Sequence, residues 1–464
     1  MSRVLILLIF LSSVFFLSFL PVKDTDFGWH YKCGEMLLKH GELCLKNDFS
    51  YFLPDYKSFY PSFLYDTSLA FVFDRFGFIG VSFLGSLVFS ICAFILIKLL
   101  SGFLWVKMIA IYLIFFLSYS IFGLGLRSQI ITYLFFVLTL FLINRFNNGS
   151  KKSLYFIPLI LLIWVNTHIG FFVGLILLKA SFFYKRDKFI IAIFVLSILI
   201  TLLNPFGINV YKEIINHSSS SLNTMIAEWT SPELWQEIII TTSTIFLLIV
   251  LLNKKSKNLY LIALTLFFSV LSLSARRNEP FFYTVMLYVL LQENIVQSFF
   301  KKLKFSLFAS EIILPLFISF FVITLGFLSI PRTIKFDTNW NEYCTKGQSI
   351  YPCNADNAIK KLSGNVYSMY EWGGFLIWRN PNIKVFVDGR MPAWKDETEK
   401  SPYEVFLEII QTKEGWNEKL AKFKTDYLLI QQGTFLDLLL QKEAQRYHWK
   451  EFYRDDLAVI YKKI

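Results

Sequence analysis

Apolar runs, one after another and almost free of charge, constrain this chain more than any other feature. A helix crossing the roughly 30 Å hydrocarbon core of a bilayer needs about 20 mostly uncharged residues. Runs approaching that length lie near residues 4–21, 79–98, 104–123, 130–145, 153–167, 170–184, 188–203, 238–252, 258–274, 280–297 and 311–330. The expectation is a polytopic α-helical membrane domain of about 11 spans, several of them short enough to be tilted or broken. Composition agrees: the chain is 55% hydrophobic and only 17% charged, too oily for a soluble protein of 464 residues.

The formal charge of +12 would suit nucleic acid if it were gathered in one patch. Instead it falls in alternate loops: Arg145, Lys151 and Lys152; Lys185, Arg186 and Lys188; Lys254, Lys255 and Lys257; Lys301, Lys302 and Lys304. Placing these loops and Arg3 inside satisfies the positive-inside rule, and leaves the N-terminus cytoplasmic and the C-terminus outside. Topology accounts for the charge, so no nucleic-acid partner is expected; the expected location is the plasma membrane, multi-pass. The first run is long and no A-x-A-like site follows it, so it reads as a retained anchor rather than a cleaved signal peptide. Cys33 and Cys44, and Cys344 with Cys353, then lie outside, where each pair is either a disulfide or two free thiols.

After residue 330 the oil gives way to mixed polarity. Short β-type runs at 365–370, 384–388, 426–430 and 457–461 alternate with helical patterns at 354–362, 403–410 and 435–446. This predicts a soluble α/β or α+β domain over 331–464, following a transmembrane domain over 1–330 whose first outer loop is residues 22–66.

With sides assigned, the unusual polar residues near membrane ends sort to the outer face. Asp24, Asp26, His30 and Glu35 follow the first run; Arg127 and Gln129 sit in LRSQ; Asn166 and His168 in WVNTHIG; Glu228 and Trp229 in IAEWTSP; Arg276 and Arg277 in SARRNEP. Ionisable groups at membrane depth are costly, so their convergence on one face points to a site. A carboxylate can take a proton from a hydroxyl, and arginine with histidine can bind a phosphate and the charge that grows on it. Asp24 and Asp26, two apart, can face one way and share a divalent cation; no cofactor is otherwise indicated. Each member also has a plainer reading: acids of a solvated loop, arginines anchoring lipid headgroups, a histidine satisfying a neighbouring helix.

The stretch DTDFGWHYKCGEMLLKHGELCLKNDFSY, followed by PSFLYD, resembles the first outer loop of a bacterial group in the GT-C superfamily of polytopic membrane glycosyltransferases, which are polyprenyl-phosphate-sugar-dependent and mannosyltransferase-like. LRSQIITYLFF, WVNTHIGFFVG, LNPFGINVY, IAEWTSP, SARRNEPFF, YEWGGFLIWR and VFVDGR resemble that group's later motifs in order. The resemblance implies transfer of a sugar from a polyprenyl-phosphate donor to a glycan, lipid or protein acceptor outside the membrane, with membrane lipids as further partners. It gives the role of base to Asp26 or Asp24, Asp26 leading straight into FGWH. Arg276, Arg277, Arg127 and His30 are then candidates for the donor phosphate, and Glu35, Gln129, Asn166, His168, Glu228 and Trp229 for the lining. Phe63 stands where the group usually has Trp, so an indole donor is lost there. Asp388 and Arg390 read as a structural ion pair at a strand end, and Trp372 and Trp378 as core. The alternative function is a transporter or flippase of lipid-linked sugars, which calls for inverted repeats and a polar path to both sides; neither is visible in the sequence.

Overall fold

The computed structural model describes residues 3–184, 187–219, 225–254, 258–293, 312–333, 344, 351–396 and 399–464. Lys185, Arg186, Lys255, Lys257, Lys301, Lys302 and Lys304 lie outside the described residues, as do the end of the run at 280–297 and the start of that at 311–330. The chain divides into two compact units. The first is Met1–Val22, Gly80–Val210 and Ser221–Ile334; the second is Lys23–Ile79, Tyr211–Ser220 and Lys335–Ile464.

The helices are, in chain order, α1 (Arg3–Leu17), α2 (Phe27–His40), α3 (Phe63–Leu99), α4 (Leu104–Leu117), α5 (Ser128–Asn147), α6 (Phe156–Val165), α7 (Phe172–Ser181), α8 (Lys188–Thr201), α9 (Asn209–Ser219), α10 (Leu234–Leu252), α11 (Leu259–Ser274), α12 (Glu279–Gln292), α13 (Leu314–Thr333), α14 (Gly373–Arg379), α15 (Pro402–Ile410), α16 (Trp416–Lys422) and α17 (Phe435–Glu443). Among the described residues three of them, α3, α5 and α10, are long and apolar enough to cross a membrane, against the 11 spans expected. The shortfall has a physical cause in the turns that interrupt the apolar runs. Asn166 ends α6 by donating to Leu162 O and Leu203 O, and His168 caps the next turn by accepting the Gly170 N–H at Nδ1. That leaves α6 and α7 with 10 residues each, roughly 15 Å of helix or half a hydrocarbon core. The two runs expected at 153–167 and 170–184 are each a short helix in space.

In the second unit a five-stranded sheet has the order β2-β1-β3-β5-β4. β1 (Gly364–Ser368) is parallel to both β2 (Ile383–Val385) and β3 (Tyr427–Gln431). β5 (Ala458–Lys463) is antiparallel to β3 and to β4 (Trp449–Arg454). Four strands fall at the runs read from the sequence. β4 was not expected there: its WKEFYR segment is an edge strand with little burial, so it lacks the alternation that marks a strand with one buried face.

The loop that follows α1 is built into this sheet unit. Phe49–Tyr51 extends the β2 edge, Val385 N–H donating to Phe49 O at 3.0 Å and Tyr51 N–H to Val385 O at 3.2 Å. Trp29 and Cys33 of α2 enter the same apolar core as Val366, Phe375, Leu376, Val385, Leu429 and Ile460. Helix α2 ends at Gly41, φ 72°, whose N–H returns to the last turn, and Cys33 is joined to Cys44 just beyond it. Cys344 is joined to Cys353, so both outer pairs are disulfides and Cys92 is the free, buried thiol.

Helices α2 and α14 cross at two glycines with backbones in contact. A Cβ on Gly28 would lie 1.8 Å from Gly374 O, and one on Gly374 would lie 2.4 Å from Thr25 O. Gly28→Ala is therefore expected to lower the stability of this unit by about 1–3 kcal/mol or more through overpacking. Gly41→Ala, which meets nothing within 4 Å but must hold a positive φ, should cost only about 1 kcal/mol. Thermal unfolding of the two variants by near-UV circular dichroism measures the difference.

Candidate functional site

Asp26 occupies the position just ahead of α2, and its backbone carbonyl accepts the His30 N–H at 3.2 Å. Its carboxylate lies against Gly389, where a Cβ would come within 1.7 Å of Oδ1. Gly389 sits between Asp388 and Arg390 of VFVDGR, and those two form the ion pair read from the sequence. Arg390 Nε donates to Asp388 Oδ1 at 2.8 Å and Nη2 to Oδ2 at 2.7 Å. Nη2 also reaches Asn47 Oδ1 at 3.1 Å, while the guanidinium lies over the rings of Phe49 and Trp394. This bidentate pair fixes the turn whose glycine receives Asp26. Asp24 is 3% exposed, and its Oδ1 accepts the Asp26 N–H at 3.3 Å while its carbonyl accepts the Tyr351 hydroxyl at 2.7 Å. Asp26 is half-buried and the more accessible of the two acids.

His30, buried, sets Nδ1 2.5 Å from Asp66 Oδ1, and Asp66 also accepts from Ser62 Oγ at 2.9 Å. The imidazole stacks on Trp29 with ring centroids 3.5 Å apart and meets Tyr65 edge-on. A carboxylate at Nδ1 fixes the tautomer and turns Nε2 into the acceptor. Asp66 was within reach of the sequence reading, in the quoted PSFLYD, but nothing local marks it as the partner of a residue 36 positions earlier. Trp29 Nε1 is buried and finds no hydrogen-bond partner among the described residues. Glu35 points elsewhere: Lys32 and Lys39 each donate to it at 2.6 Å, a surface ion-pair hub on α2. Trp372 is buried, and Trp378 packs among Phe27, Phe73 and Phe78, as core aromatics do.

Glu213 of α9 is a further buried acid the sequence did not single out. It is 3% exposed, with His217 Nδ1 3.3 Å from Oε1, and burial pushes its carboxyl up to about 7. The His217 ring in turn packs against Tyr60.

The first unit gathers a second set. Arg127, ahead of α5, pairs with Glu228, and Gln129 Nε2 approaches the other carboxylate oxygen at 3.4 Å. Burial opposes ionisation of Glu228, but the Arg127 guanidinium, helped by Arg277, outweighs it and holds the carboxyl below the usual range. Arg277 lies over the Trp229 ring at 5.3 Å. Its backbone N–H donates to Glu228 O, and that of Arg276 to Thr230 O, so the two segments are laced together. Arg276 Nη2 donates to Glu233 Oε1 at 2.9 Å. Two cations are thus matched by acids, and among the described residues no carboxylate pairs with Arg277. Stacking occupies the face of its guanidinium and not its N–H edge, which suits it to an anion. Asn166 and His168 hold turns: Trp164 Nε1 donates to Thr132 Oγ1, and the Thr132 hydroxyl lies 2.8 Å from His168 Nδ1. The acids Asp24 and Asp26 belong to the second unit and the arginines to the first.

Among the described residues no group of three or more His, Cys, Asp or Glu is placed to hold a metal ion.

No protein-family profile matches the chain, and no curated protein matches it in sequence. Solved structures do match in shape. One is the oligosaccharyltransferase AglB of Archaeoglobus fulgidus in complex with an inhibitory peptide and a dolichol-phosphate: TM-score 0.57, 10% identity, covering 92% of this chain and 69% of that one. The Archaeoglobus fulgidus enzyme tethered to an acceptor peptide containing the NVT sequon gives 0.59 at 11% identity, with the same coverage. ArnT of Cupriavidus metallidurans, bound to undecaprenyl phosphate, gives 0.50 at 11% identity, covering 99% of this chain and 98% of that one. The fold is that of the GT-C membrane glycosyltransferases. At these identities the likeness is one of fold alone.

Two electrostatic outcomes are expected. Glu228→Gln, which removes the negative charge facing the buried Arg127 guanidinium, should destabilise the first unit by about 1–3 kcal/mol, and Arg127→Met in the same chain should recover part of that. Because Glu228 is held low, its contribution is present above about pH 4.3 and is lost as pH falls through its folded value. Glu213 behaves in the opposite sense. The unfolded chain releases this proton near pH 4.3 and the folded one near about 7, so stability falls as pH rises through that window. Thermal melts of Glu213→Gln between those limits should be flatter than those of the parent; equal slopes would remove the assignment.

Proposed function

We propose that this chain is a multi-pass plasma-membrane glycosyltransferase that moves a sugar from a polyprenyl-phosphate donor to a glycan, lipid or protein acceptor on the extracytoplasmic side. The N-terminus is cytoplasmic and the second unit extracytoplasmic. The observation that carries the reading is Asp26, a half-buried carboxylate fixed by a helix start on one side and by Gly389 on the other. An acid held in one place and still partly open to solvent is what a general base requires. The fold match supports the reaction class. The lipid phosphates bound by two matching enzymes, dolichol-phosphate in AglB and undecaprenyl phosphate in ArnT, support the donor class.

The reaction is a single displacement at the anomeric carbon. The acceptor hydroxyl loses its proton to Asp26, its oxygen forms the new bond to C1, and the C1–O bond to phosphate breaks with its electron pair leaving on the polyprenyl phosphate. Positive charge grows on the sugar ring and negative charge on the leaving phosphate. Arg277, Arg276 and Arg127 receive that negative charge, Arg277 first because it stacks on Trp229 and forms no direct ion pair among the described residues. Gln129, Glu228 and Trp229 hold these arginines in place. Asp24 supports the turn ahead of α2, with its carboxylate on the Asp26 N–H. His30, seated on Asp66, orients the start of α2 and stays a candidate for the phosphate. Should a divalent cation take part, Asp24 and Asp26 are the residues to hold it; a matching structure of the Archaeoglobus fulgidus enzyme was solved with Zn and sulfate.

Asp26→Asn is expected to lower transfer from a synthetic polyprenyl-phosphate sugar by roughly 10²–10⁴-fold at saturating donor. Asp24→Asn should cost far less, and Arg277→Gln should act chiefly on donor KM. Radiolabel transfer into an envelope fraction measures all three. Full activity of Asp26→Asn overturns the base assignment, and lipid movement without new glycosidic bonds replaces the enzyme by a flippase.

A further inference from the structure

The second unit has a cleft that none of the groups above uses. It lies at the carboxyl ends of β1 and β3 and is lined by Met369 and Glu371 after β1, by Gly433, Thr434 and Phe435 after β3, and by residues of α15 and its end. Its volume is about 370 Å³, within the range of roughly 300–1,000 Å³ that small molecules occupy. The position is meaningful in itself. From β1 the chain goes through α14 to β2 on one side, then returns across β1 to β3 on the other. The carboxyl ends of β1 and β3 therefore flank the point where strand order reverses, and in open sheets with parallel strands that crevice is where ligands bind.

The lining chooses among ligands. Tyr403 and Phe406 form an aromatic wall, with ring centroids 5.7 Å apart, braced by Tyr370 edge-on to Tyr403 at 4.8 Å. Phe435, at the start of α17, is 68% exposed, a large apolar ring left at the lip. Against these faces stand the Glu371 carboxylate and the Gln411 amide, both exposed, and the Thr434 hydroxyl. Burial and then the charge of Glu371 push the Tyr403 hydroxyl up, so carboxylate and phenol act on each other. An anion is disfavoured: Glu371 repels it, and the first turn of α17 is already taken by Asp437, which accepts from Gly433 N–H at 2.9 Å. A purely apolar ligand would leave the carboxylate and amide unanswered. Flat apolar faces bordered by paired acceptors and donors match a pyranose ring, which presents C–H faces and a rim of hydroxyls.

We infer that this cleft binds a neutral hexose unit of a glycan, stacked between Tyr403 and Phe435 with vicinal hydroxyls on Glu371 and Gln411. The inference goes beyond the proposed transfer reaction and does not depend on it, because binding is read without turnover. The test uses the full chain in nanodiscs prepared without glycoside detergents and saturation-transfer NMR with methyl α-mannopyranoside, N-acetylglucosamine and cellobiose. At least one probe should receive saturation. Phe435→Ala, at an exposed position where folding is not at stake, should weaken it by about tenfold, and Glu371→Gln should weaken it severalfold. Asp26→Asn, which would abolish transfer, should leave it unchanged. No saturation of any sugar, equal binding in Phe435→Ala and Glu371→Gln, loss of binding in Asp26→Asn, or occupation of the cleft by 1-anilinonaphthalene-8-sulfonate with no sugar bound would each overturn the inference.

Discussion

Backbone touching backbone where α2 crosses α14 is the constraint on which the second unit depends. Only glycine lets two helices approach this closely, because any Cβ on Gly28 would overlap the Gly374 carbonyl. Once the crossing is made, Trp29 and Cys33 fall into the core of the sheet, and the start of α2 is brought to the turn that carries Gly389. A second glycine repeats the device: Gly34 admits the Asp66 carbonyl, where a Cβ would lie 2.0 Å away, and so sets α3 where Asp66 can meet His30.

The two units treat charge differently. In the first, the buried Arg127 is matched with Glu228 and the half-buried Arg276 with Glu233, and Arg277 is held by an aromatic face instead. Such an arrangement keeps the cost of taking charge out of water low while leaving one guanidinium edge for a partner. In the second, the carboxylates Asp24, Asp26 and Asp66 are held by backbone groups, a glycine and a histidine.

Much of this was legible in the chain. The oily runs gave a mostly helical chain, and four of the five strands of its small sheet fell where their patterns lay after residue 330. The motif segments DFGWH, YEWGG and VFVDGR could be recognised, but not that they meet, because no local signal links Gly28 to a glycine more than 300 residues away. The runs at 153–167 and 170–184 were legible as two, but not the hydrogen bonds by which Asn166 and His168 shorten their helices. Edge strand β4 was lost because an edge need not alternate.

Sequence alone determined the solvent for which each stretch is made, since the hydrophobic effect and the cost of burying charge act on composition and spacing, and these are written along the chain. Tertiary structure alone decided which polar residues become partners. Nothing local says that His30 meets Asp66 or that Glu35 is held by two lysines. Hydrogen bonds and ion pairs act over a few ångströms, and only the packing of glycine against glycine and ring against ring sets which groups come that close.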